Sequence, residues 1–202
     1  AGFRAAEGDH CLMAVYREEA QEIVFPDDWE VVHYEKTDHA LRVMQNWRFK
    51  LRTQGKSAGV PEVWTANALT HAVIDFIAWV PGKAELLLIE VKDYRRVTNG
   101  GDPVPAQLGD WVAWKARDAL AGLAVAALRP ASHMHDFARR ALTASQVRVF
   151  VDVKWPSSGP DVAQRRLRQQ LQLQQCLGPL ASGSAVVDAT VKVPWTTKDV
   201  GP

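Results

Sequence analysis

Asp75, Glu90 and Lys92 are the residues whose types and spacing could do chemistry. Asp75 stands fifteen residues before Glu90, and Lys92 two residues after it. Side chains alternate faces along a strand, so on an extended segment Glu90 and Lys92 share a face with Leu86, Leu88 and Tyr94. With Pro81-Gly82 at the centre of a turn, Val80 pairs with Lys83. Asp75 then lies opposite Leu88, and Val73 opposite Glu90. Asp75 and Glu90 become diagonal neighbours on one face, roughly 7 Å apart at the backbone. A shift of one residue would send Asp75 to the other face. Two carboxylates beside an ammonium suit a divalent cation with hard oxygen ligands, Mg²⁺ with Mn²⁺ as a substitute. The matching chemistry is phosphodiester hydrolysis. A cation neutralises the phosphate and lowers the pKa of a bound water. The lysine orients that water or stabilises the charge that develops at phosphorus.

These side chains need a hairpin to hold them. His71 to Val80 (HAVIDFIAWV) is β-branched and aromatic, Pro81-Gly82 signals a turn, and Glu85 to Tyr94 (ELLLIEVKDY) returns as a strand. Ahead of the hairpin, helical spacing of Leu12, Tyr16, Ala20, Ile23 and Val24 predicts a helix over Cys11 to Val24, ended by Pro26. Trp29 to Tyr34 is a strand. Residues 38 to 52 read as a helical turn passing into a strand, and 53 to 61 as a loop. After the hairpin, Pro105 opens a helix that runs to about Leu128. A short helix follows over His133 to Leu142. Val147 to Val153 alternates as a strand, Asp161 caps a helix through Leu177, and Ala185 to Val193 is a last strand. The order predicts a mixed α/β fold in a single domain over residues 1 to 202, with a mixed central sheet flanked by helices.

Asp75, then Glu90-Val91-Lys92 on the second arm of a hairpin, with VIDFIAW around the aspartate and LLLI before the glutamate, resembles the PD-(D/E)XK nuclease superfamily. The resemblance covers about residues 70 to 115. It implies a restriction-endonuclease-like α-β-β-β-α-β core. It also implies Asp75 and Glu90 as metal ligands, the Val91 carbonyl as a further ligand, and Lys92 as catalytic base or transition-state stabiliser. Ile74 stands where the family motif carries proline. Gln107, in QLGDWVAWKA, resembles the glutamine that many members place after this strand, with Trp111 where RecB-like members have tyrosine. Nuclease toxins of bacteria show a similar run after their E-V-K.

Lys+Arg total 24 and Asp+Glu 23, a formal net charge of +1, which excludes a strongly basic coat but not a local basic face. Arg95, Arg96 and Lys115 are nearest the hairpin site in sequence and are the expected phosphate contacts. Arg48, Lys50 and Arg52, and Arg165, Arg166 and Arg168, form more distant basic groups. Glu18, Glu19 and Glu22 read as a solvated helix face, and His133, His135 and Asp136 as a solvated helix start rather than a metal site. Cys11 and Cys176 read as core thiols, and two cysteines give no disulfide scaffold. No apolar run reaches the ~20 residues of a membrane span and no secretory signal stands out, so a reducing cytoplasmic setting is expected. The expected function is an Mg²⁺-dependent nuclease acting on DNA in preference to RNA. One alternative is the toxin domain of a larger secreted effector held by an immunity protein, which Ala1 in place of Met and the QLGDW run favour. Another is a catalytically inactive nuclease-fold interaction domain.

Overall fold

The central sheet of the computed structural model has five strands in the order β3-β4-β5-β6-β7. The structure describes residues 14–18, 21–37, 73–95, 107–155, 160–178, 180–188 and 190–200. Strand β4 (Phe76–Val80) runs antiparallel to both of its neighbours, β3 (Glu30–His33) and β5 (Glu85–Asp93). Helices α1 (Leu108–Ala127) and α2 (His135–Ala141) then cross over to β6 (Gln146–Lys154), which lies parallel to β5. Helix α3 (Pro160–Leu177) leads to β7 (Gly183–Val187), parallel to β6. Parallel neighbours need such crossovers, and antiparallel ones need only a turn.

The two faces of this sheet have different covers. Ile77, Trp79, Leu86, Leu88, Val149, Val151 and Val153 face the helices, packed on Leu108, Val112, Leu123, Phe137 and Leu173. Phe76, Ala78, Leu87, Ile89, Val91 and Phe150 face the other way, onto Ile23, Phe25 and Trp195. The second cover is a three-stranded antiparallel sheet of β1 (Val15–Glu18), β2 (Gln21–Val24) and β8 (Thr196–Asp199), with β2 in the middle. Strand β5 is thus buried on both faces, which is why LLLI is a continuous apolar run instead of an alternation. Helix α1 approaches α3 closely at Gly109, where an added Cβ would meet the Cβ of Gln172 at 2.7 Å.

The sequence reading needs three corrections. The helix expected over Cys11 to Val24 is, in its described part, the β1–β2 hairpin. The pattern that wins there has a period of two, with Gln21, Ile23 and Phe25 buried, and Tyr16 edge-on to Phe25 and Phe76. The turn after β4 is four residues long, because Val80 pairs with Glu85 and not with Lys83. The favoured two-residue hairpin turns need a positive φ at their first position, which proline cannot adopt. Residues Pro81–Lys83 form a single 3₁₀ turn instead, and Ala84 closes it at φ 50°. Finally, β8 was not foreseen, since Thr196, Thr197, Lys198 and Asp199 carry no apolar pattern. The other expected helices and strands are present with shifted ends. Residues 38 to 52, Cys11 and His71 lie outside the described residues.

Candidate active site

The longer turn moves the hairpin register by two residues, so the alternation of faces survives. Phe76 pairs with Ile89, and one step further Asp75 falls level with Glu90 instead of diagonal to it. The β4 ladder ends at Phe76, and the Asp75 side chain takes over its next bond. The Val91 N–H donates to Asp75 Oδ2 at 2.7 Å. Asp75 is itself pinned from the other side, where its carbonyl accepts the Tyr34 N–H at 2.8 Å. In an antiparallel ladder a residue's N–H and C=O face the same neighbouring strand. The Val91 carbonyl therefore faces the edge that Asp75 occupies.

Glu90 and Lys92 point to the helix side, at the carboxyl end of β5. Lys92 Nζ lies 2.8 Å from Glu90 Oε1 and 4.0 Å from Asp75 Oδ2, so the two carboxylates share one ammonium. A second ammonium comes from α1. Lys115 Nζ donates to the same Glu90 Oε1 at 2.5 Å. Asp75 and Glu90 are buried, while the Lys92 side chain is 26% exposed and marks where the cluster opens to solvent. Burial first, and the charge of Glu90 second, hold the Asp75 carboxyl well above the usual carboxylate range. Lys92, Lys115 and the Val91 N–H pull it back down.

Glu90 Oε2 is buried and has no hydrogen-bond partner among the described residues. A buried carboxylate oxygen left unpaired is costly, and a cation would satisfy it. The donors are all hard oxygens: Asp75, Glu90 and the Val91 carbonyl. No group of three or more His, Cys, Asp or Glu side chains is placed to hold a metal among the described residues. The set fits a small cation such as Mg²⁺, which keeps several waters and takes one or two carboxylates.

Other expected site residues sit elsewhere. Lys115 is not a surface phosphate contact, because it is 7% exposed and bound to Glu90. Its place was readable in α1, where it interrupts the buried stripe of Leu108, Val112, Ala119 and Leu123. Arg95 is also committed elsewhere than the Asp75–Glu90 cluster. Its guanidinium bonds both oxygens of Asp93 and both of Asp199, tying the end of β5 to β8. Gln107 is exposed at the start of α1, and its side chain makes no capping bond. Arg96 lies outside the described residues. Glu22 is on β2 in the small sheet, away from the helix face. His135 Nδ1 sits 3.3 Å from the Ala126 carbonyl, a local contact between the ends of two helices. Cys176 is exposed, with its thiol on Asp110, and so is not a core thiol.

No helix among the described residues is long and apolar enough to cross a membrane. No protein-family model, no curated protein and no solved structure matches the chain.

Proposed function

We propose that this protein is a divalent-cation-dependent nuclease with a restriction-endonuclease-like core, acting on DNA. The observation that carries the reading is the gathering of Asp75, Glu90 and Lys92 into one partly open cluster at the end of a central strand. The antiparallel β3-β4-β5 unit, followed by a helix and a parallel strand, supports the fold half of it. Asp75, Glu90 and the Val91 carbonyl would hold Mg²⁺ or Mn²⁺. When bound, the cation supplies charge neutralisation at the phosphate and acidifies a water. Lys92, the exposed member, meets that water or the charge developing on the phosphate oxygens. Asp75 keeps its hold on the Val91 N–H and so fixes the distance between the two strands.

The test is cleavage of plasmid DNA, with a structured RNA in parallel, in Mg²⁺ and in excess chelator. Cutting that needs Mg²⁺ and is lost in Asp75→Ala and Lys92→Ala supports the proposal. Full cutting in chelator, or by Lys92→Ala, overturns it. A second reading has its own observation. Two ammonium groups already pair with Glu90, as a non-catalytic interaction domain would tolerate. Intact DNA and RNA at every Mg²⁺ and Mn²⁺ concentration would favour that reading.

A further inference from the structure

We infer that Lys115 sets the affinity and selectivity of the cluster for its cation, by holding one oxygen of Glu90 and leaving the other free. The inference rests on the metal-binding reading above and deepens it.

Lysine is almost never buried without a partner. Lys115 is buried in the middle of α1 and finds its partner in Glu90, on a strand 25 residues away in sequence. Both ammonium groups sit on Glu90 Oε1, at 2.5 Å from Lys115 and 2.8 Å from Lys92, and neither satisfies Oε2. The two lysines differ in exposure. Lys92 is 26% exposed and stands at the mouth of the cluster. Lys115 is buried on α1 with Glu90 as its partner, so its charge is held beside that carboxylate.

Two consequences follow from that fixed charge. A cation that arrives at Oε2 meets a positive neighbour a few ångströms away, in surroundings that screen charge poorly, so it binds more weakly than two carboxylates alone would allow. Glu90 also has only one oxygen to give. Ca²⁺ gains from bidentate carboxylates and high coordination number, whereas Mg²⁺ and Mn²⁺ accept a single oxygen and keep water. Lys115 therefore disfavours Ca²⁺ more than the smaller cations. It also pairs with Glu90 when no cation is bound, together with Lys92.

The experiment is calorimetric titration of the intact chain with Mn²⁺ and with Ca²⁺, without substrate, for wild type, Lys115→Met, Lys115→Gln and Lys115→Arg. Lys115→Met replaces the stem at similar length and removes the charge. It should tighten Mn²⁺ binding by about tenfold or more, and Ca²⁺ binding by a larger factor. Lys115→Gln should change both affinities in the same direction and serves if the Met variant does not fold. Lys115→Arg should stay near wild type. Unchanged affinities in both neutral variants overturn the inference and leave the metal site standing. Equal gains for the two cations overturn the selectivity claim. No binding of either cation by any of the four proteins overturns the metal-binding reading, and this inference with it.

Discussion

At the carboxyl end of β5, Glu90 and Lys92 face the helices, and Asp93 faces the small sheet. Both sides gather carboxylates and cations, but they are finished differently. On the small-sheet side Arg95 bonds both oxygens of Asp93 and of Asp199, and Asp152 accepts the Trp195 indole N–H at 3.1 Å. A guanidinium has five donors in a planar fork and closes such a cluster completely. On the helix side two point-charge ammonium groups crowd one oxygen of Glu90, and the other oxygen is buried without a partner. A closed cluster holds two strands together. The other keeps a carboxylate oxygen without a hydrogen-bond partner and a partly exposed lysine at its mouth. Residues one apart on a single strand thus differ in kind because the alternation sends them to different covers.

The largest expected effect separates the two sides by activity. Lys92→Ala should slow single-turnover DNA cleavage by at least about 100-fold, while Mn²⁺ binding is kept or tightened. Equal rates would place the helix-side cluster in the same structural class as its counterpart. The next effect is on stability. Glu90→Gln leaves Lys115 buried beside a neutral amide and should cost about 3 kcal/mol in urea unfolding, the usual penalty for stripping one partner from a buried pair. A loss under about 1 kcal/mol would mean that Lys115 is not committed to Glu90.

Smaller still is a pH effect on the opposite side. Burial, ahead of the opposing Trp195 bond and Lys154 charge, raises the Asp152 carboxyl above its ordinary value. The folded state then favours the protonated form. Wild type should lose stability as pH climbs from the ordinary carboxylate value through the raised one, and the penalty is complete above it. Asp152→Asn keeps an acceptor for Trp195 and should flatten that slope between about pH 4 and pH 7, read from urea midpoints. Identical slopes would show that Asp152 ionises as freely as in the unfolded chain. The smallest expected effect is Arg95→Ala, at about 1 kcal/mol or less, because the tie it breaks is exposed. It should leave the salt dependence of DNA binding unchanged. A slope reduced by about one would restore Arg95 as a phosphate contact.

Much of the site was legible because its key feature depends on parity alone. Placing Val80 opposite Lys83 was two residues out, yet an even shift keeps Asp75, Glu90 and Lys92 on one face. Helices α1 and α3 were legible as long segments, and β6 by the alternation of its valines. The β1–β2 hairpin was not, because five apolar residues in a short segment fit helical spacing as well as strand alternation. Only the small sheet's contact with Phe76 and Trp195 selects the strand.

The sequence by itself determined that Glu90 and Lys92 would share a face, since alternation is a local property of extended backbone, while the place of Asp75 on that face hung on the parity of the turn. It also carried the spacing that sets Lys115 among Leu108, Val112, Ala119 and Leu123, although the sequence alone reads that lysine as a phosphate contact. Only the tertiary structure decided what those residues meet. The crossover from β5 through α1 to β6 lays Lys115 over Glu90, and β8 supplies Asp199, 104 residues from Arg95, as that arginine's partner. Pairings at such separation depend on how layers stack, and the spacing of residues along the chain carries no record of that.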